Sequence, residues 1–279
     1  MWSTGTARLA TCSEIVVGKA SQRKRERRSG SADRHLLMTL TNEPFQPVRL
    51  YYSIPSRDPV VARLRALECL QEVPDEQCWQ WLFQAESASL RFGGGYEDVP
   101  RERRPVILGR IRFPTNTCMV LQTNSVARAI GGARFFASYL GSACAAIRCR
   151  LVNRLFAAEE GQLHELMKTL DQNVTVIDPR EAEAALGREF KDARTPEDAE
   201  RVAAERLQRR LDSKEDVPPV EDFPLAPEEE TPEFNHLTIT LQLRLLRAME
   251  HWQGNTDLTL TAIITRAIEQ GSLTGESSA

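Results

Sequence analysis

Apolar positions along the chain switch between two periods, and the switches mark elements. Val48 to Ile54 is rich in β-branched and aromatic residues and stops at Pro55, which predicts a strand. Ser56 or Asp58 then caps a predicted helix carrying Val60, Val61, Leu64, Leu67 and Leu70 at helical spacing. Gln77 to Ala88 predicts a second helix, with Trp79, Leu82 and Phe83 as its stripe. The sharpest period-two signal follows. Val106 to Phe113 and Cys118 to Thr123 predict two strands joined through Pro114-Thr115-Asn116-Thr117 as a hairpin. Ser125 caps a helix bearing Val126, Ala129, Ile130, Phe135 and Phe136, and Gly141 stops it. Ala146 to Phe156 alternates as a strand, Glu159 to Leu170 is an amphipathic helix, Val174 to Ile177 a short strand, and Asp178-Pro179 opens another helix. A charged helix spans Pro196 to Leu211.

The succession predicts an α+β protein with a central mixed sheet. Four segments are expected. Residues 1–37 are polar, carry the basic run 23–28, and predict disorder, with a basic arm for nucleic acid as the alternative. Met38 is a candidate start, which would make the upstream stretch an extension, and order is expected from near Pro47. Residues 38–213 form the α+β domain. Residues 214–232, from Val217-Pro218-Pro219 through the Glu228-Glu229-Glu230 run, predict an acidic, proline-rich linker, leaving 233–279 as a separate module.

Composition narrows the function classes. No apolar run approaches the roughly 18 to 20 residues of a membrane span, and Ile15-Val16-Val17 is too short for a signal core. The six cysteines contain no CxxC pair and read as reduced thiols of a cytoplasmic protein. Four scattered histidines argue against zinc. Gly93-Gly94-Gly95 lacks the Lys-Ser/Thr that a phosphate loop needs, so it reads as a plain loop. Glu160 and His164 share a helix face but have no third ligand at metal spacing. Asp178 stands where α/β enzymes place catalytic acids, although an Asp-Pro helix start is ordinary capping. There is no GxSxG. No catalytic residue, metal or cofactor is expected.

Charge is where the chain departs from the ordinary. Residues 101–154 hold ten arginines, no lysine and one acid, a net of +9; residues 155–234 hold 22 acids and ten bases, a net of −12. Period two puts Arg148, Arg150 and Arg154 on one face of their strand, opposite Ile147, Cys149, Leu151 and Leu155. It likewise puts Arg110 and Arg112 opposite Ile107, Ile111 and Phe113. If both strands join one sheet with that face open, five guanidiniums converge, and arginine throughout favours bidentate contact with phosphate or carboxylate. Two readings stand: a polyanion site, or arginines neutralised by the acidic helices that follow.

At the C-terminus, the strand-like Leu237 to Gln242 precedes a helix bearing Leu245, Leu246, Met249 and Trp252. After Gly254-Asn255 comes a second helix with Ile263, Ile264, Ala267 and Ile268. Residues 236–270 thus resemble the ribbon-helix-helix modules of the Met and Arc repressor superfamily. The resemblance implies a strand-helix-helix unit that homodimerises by pairing its ribbons, with Thr238, Thr240 and Gln242 entering a DNA groove and the helix start at Thr259 meeting a phosphate. The strand departs from the family in having no basic residue. The expectation is a non-enzymatic, nucleic-acid-associated protein in transcription regulation, binding DNA or RNA through Arg110, Arg112, Arg148, Arg150, Arg154, Thr238, Thr240 and Gln242. The alternatives are an adaptor whose tail mediates protein association and, third, an enzyme using Arg110 or Arg150 as anion clamps.

Overall fold

The computed structural model describes residues 15–17, 34–141, 144–191, 193–212, 217–225 and 236–269. The basic run 23–28 and most of the segment predicted to be disordered lie outside them. In chain order the strands are β1 (Ile15–Val17), β2 (Leu37–Thr39), β3 (Val48–Ser53), β4 (Leu70–Val73), β5 (Cys78–Leu82), β6 (Ile107–Thr115), β7 (Cys118–Thr123), β8 (Ala145–Val152), β9 (Val174–Val176) and β10 (Val220–Pro224). The helices are α1 (Arg57–Arg65), α2 (Val126–Leu140), α3 (Leu163–Lys168), α4 (Pro179–Glu189), α5 (Pro196–Asp212), α6 (His236–Trp252) and α7 (Leu260–Glu269).

Eight strands form one mixed sheet in the order β4-β5-β6-β7-β3-β8-β10-β9, while β1 pairs with β2 apart from it. Every neighbouring pair in the large sheet is antiparallel except β10 with β9. The fold is α+β, as the alternation of periods predicted.

One face of the sheet is the core. Val48, Leu50 and Tyr52 of β3 share the cluster with Ile111, Leu121, Cys149 and Leu151 from β6, β7 and β8, and α2 closes over them with Ala129, Phe135 and Phe136. The α2 helix begins where Ser125 Oγ accepts the Arg128 amide, and ends at Gly141, whose φ of +73° favours glycine. It also runs unusually close to the sheet. A side chain at Gly132 would bring Cβ to 2.6 Å from Leu121 and 3.1 Å from Trp81, so only glycine lets the helix settle there. Trp81 packs between the Phe135 and Phe136 rings, at 5.4 and 5.3 Å.

Five expectations differ. Residues 77–88 contain strand β5 rather than a helix. The spacing of Trp79, Leu82 and Phe83 suits a helix, but Trp79 and Trp81 at period two both enter the core. The preceding helix stops at Arg65, and Leu70, assigned to its stripe, opens β4 instead. Order also starts before Pro47, since Leu37 and Phe45 are buried in a second cluster with Val152, Phe156 and Leu170. The largest difference is the expected linker. Its residues 220–224 are β10, inserted between β8 and β9. A five-residue strand bounded by prolines and containing two acids has a linker's composition, and only pairing on both edges makes it a strand.

The ribbon expected at 237–242 is the start of α6. Thr-Ile-Thr has strand propensity, but Leu237, Leu241, Leu245 and Ala248 recur at helical spacing. Leu237 and Leu241 enter the main core, so tertiary packing overrides local preference. The helix also lies against α2, and Arg244 Nε stands 2.6 Å from buried Glu221 of β10. The stretch expected to stand apart is therefore joined to the sheet by both packing and charge.

Candidate functional site

The second face of the sheet carries the arginines. Successive register pairs place Gln80, Arg110, Gln122, Arg49, Arg150, Asp222 and Val176 in one row across seven strands. The next row runs Arg112, Val120, Tyr51, Arg148 and Pro224. Arg110, Arg112, Arg148 and Arg150 thus share one face, as their alternation predicted, and Arg49 joins them. Arg154 does not: it lies beyond the end of β8, stacks on Phe156 at 4.0 Å and binds Glu160 at 2.6 Å.

The two ends of this face differ. Toward β8 and β10 it is covered by α3 and the helical turn Thr169–Asp171, whose Leu166 and Leu170 cap Val152 and Val220. The arginines there are neutralised. Arg49 binds Asp171 through two bonds of 2.7 and 3.1 Å. Arg150 reaches Asp222 at 2.7 Å and Asp171 at 3.0 Å, and Arg148 stands 3.4 Å from Asp222 while lying over the Tyr51 ring at 4.0 Å. The hydrogen bond from Arg49, reinforced by the Arg150 charge and opposed by partial burial, holds the Asp171 carboxyl below the ordinary aspartate range. Asp222 is fully buried, so its charge is tolerated only because these forks meet it.

Toward β6 and β7 the face is open. Arg49, Tyr51, Arg110, Arg112, Pro114, Val120 and Gln122 line a depression of about 210 Å³. Arg110 pairs with Glu76 at 2.8 Å but stays 38% exposed, whereas Arg112 is exposed with no carboxylate partner among the described residues. Arg49 donates to Gln122 Oε1 from Nε and Nη2, at 3.2 and 2.9 Å. Since a guanidinium only donates, this assigns Oε1 as the acceptor and leaves Gln122 Nε2 as a donor not used by Arg49. Over the whole face, five guanidiniums (Arg49, Arg110, Arg112, Arg148 and Arg150) meet three carboxylates, those of Glu76, Asp171 and Asp222.

The remaining predicted positions lie elsewhere. Thr238, Thr240 and Gln242 belong to α6, which packs on the opposite, core side. Thr238 is 3.4 Å from Arg134, the Thr240 carbonyl accepts from Arg244, and Gln242 is exposed. Asp178 caps α4 by accepting the Arg180 amide at 2.8 Å. Glu160 binds Arg154 and the Ala157 amide, while exposed His164 sits beside Glu165. Neither acid faces the groove. Sequence reasoning missed Arg49 and Tyr51, although the alternation of Val48, Leu50 and Tyr52 holds the signal. It also missed Asp171 and Asp222, whose roles arise only from pairing across the sheet.

Comparison with known protein families, curated proteins and solved structures finds no match. Among the described residues, no helix is long and apolar enough to cross a membrane.

Proposed function

We propose that the protein is a non-enzymatic, nucleic-acid-associated protein that contacts the phosphate backbone with the open end of its arginine face. The observation that carries this reading is the exposed Arg112 beside Arg110 over a groove bounded by Arg49 and Gln122. Arginine forks match phosphate bidentately, and a flat sheet face presents them in a row that a strand of nucleic acid can follow. The test is binding of labelled single-stranded and duplex DNA and RNA to the full chain across a salt series. Log affinity should fall linearly with log salt, and each arginine contact removed should flatten the slope by about 0.7 to 0.9. No binding above that of a neutral control protein at low salt would overturn it.

A second reading, an adaptor whose arginines serve the fold, draws on the carboxylates already paired with Arg49, Arg110, Arg148 and Arg150. It predicts no polyanion binding and a stability loss for every arginine removed from the face.

A further inference from the structure

The groove at the open end is more than a charged surface. Its lining divides by chemistry: Arg110 and Arg112 lie two residues apart on β6, Gln122 keeps an amide donor not used by Arg49, and Pro114 and the edge of Val120 are apolar. Two residues along a strand span about 7 Å, so both guanidiniums reach a single phosphate group. The Tyr51 ring is already occupied by Arg148, which leaves exposed Pro114, with the edge of largely buried Val120, as the apolar side of the groove. An anion site alone has no need of an apolar wall, and an apolar pocket alone has no need of two forks. A ligand that uses both joins a phosphate to a flat ring.

Resting on the reading above, we propose that the groove takes one unpaired nucleotide of a single strand. Its phosphate meets Arg110 and Arg112, its base lies against Val120 and Pro114, and Gln122 Nε2 donates to the base edge. Duplex nucleic acid keeps its bases stacked inside and offers the groove only phosphate, so the structure selects single strands. Arg49, held by Asp171 and Gln122, forms the far wall rather than a phosphate contact.

The experiment measures fluorescence anisotropy of the full chain with four probes: a base-bearing single strand, the same strand made abasic, the duplex, and inorganic polyphosphate. The base-bearing strand should bind about tenfold tighter than the abasic strand or the duplex, the range of a single base contact. Pro114→Ala, which trims the exposed part of the apolar side, should bring the base-bearing strand toward the abasic level. If all four probes bind alike, base docking is overturned while backbone binding stands. If no probe binds, both readings fall. Should P114A lose its folded circular-dichroism signal, the base-bearing and abasic strands on the unaltered chain still decide the matter. There, equal affinity overturns the proposal and a tenfold gap supports it.

Discussion

Arginine appears on both sides of this sheet for opposite reasons. On the helix side, Arg128 is 1% exposed. It binds Glu43 at 3.3 Å, the Thr41 hydroxyl at 2.8 Å and the Ile107 carbonyl at 3.0 Å, and Thr39 and Thr41 donate to the same Glu43 carboxylate. Every part of that guanidinium works inside the protein, tying α2 to the turn after β2. On the open side, Arg112 is exposed, with no carboxylate partner among the described residues. Both residues come from the same arginine-rich segment. Net charge along a sequence thus merges two populations: arginines whose partners are covalently distant parts of the chain, and arginines left for something outside it. Only register and burial separate them.

Removing an inner partner should have the largest effect. Arg128→Ala or Glu43→Ala leaves the other group buried without its counter-charge, which should cost about 3 to 5 kcal/mol in urea unfolding. Replacing both together with Met and Leu should cost less than either alone, because the penalty lies in the orphan rather than in the lost pair. If the single variants unfold at the native midpoint, the division between inner and outer arginines fails.

Asp222→Ala tests the intermediate case, a buried acid serving arginines that are partly in solvent. Arg150 retains Asp171 and some water, so the expected loss is about 2 to 3 kcal/mol, below that at Glu43. A smaller thermal shift than for any exposed control substitution would show that Asp222 does not hold β10.

For the outer population the effect moves from stability to binding. Arg112→Ala should leave the unfolding free energy within about 0.5 kcal/mol and weaken nucleic-acid binding about tenfold, similarly across sequences. Stability loss without binding loss would transfer Arg112 to the inner class and support the adaptor reading.

The smallest effect sharpens the boundary. Asp171 is more than half exposed, so Asp171→Asn should cost no more than about 1 kcal/mol and, by releasing the Arg49 fork, tighten polyanion binding about threefold. Its folded pKa is depressed. Its stabilisation is therefore present above the ordinary aspartate value of 3.8 and is lost as pH falls through the lower folded value. A urea midpoint series below neutral pH should show that acid-side decline in the native protein and a shallower one in the asparagine variant.

The legible parts of this molecule were those whose signals are local. The β6–β7 hairpin, the Ser125 cap, the Gly141 stop and the Asp178 cap all depend on residues within a few positions of one another, and sequence reasoning found each. The shared face of Arg110, Arg112, Arg148 and Arg150 was legible too, because period two needs only one strand at a time. What escaped was long-range. β10 has no strand signature until β8 and β9 flank it. The 237–242 stretch satisfies strand propensity and helical spacing at once, and only docking of Leu237 and Leu241 chooses between them. The neutral end of the arginine face was hidden because Asp171 and Asp222 approach it from 21 to 122 positions away in sequence.

The place of β10 has a consequence for how the protein is made. During synthesis, β3 to β8 leave the ribosome first, and the outer edge of β8 then waits while α3, β9, α4 and α5 are added. Until residue 224 emerges, β8 presents a bare hydrogen-bonding edge beside Cys149 and Leu151, and β9 has no neighbour. Among the described residues, the last strand to be made is thus the one that joins β8 to β9. Its two acids also give it polarity at the moment an unsealed edge would otherwise attract the same edge of another nascent chain. A message truncated upstream of that strand would release a protein with most of its core and an open, adhesive flank.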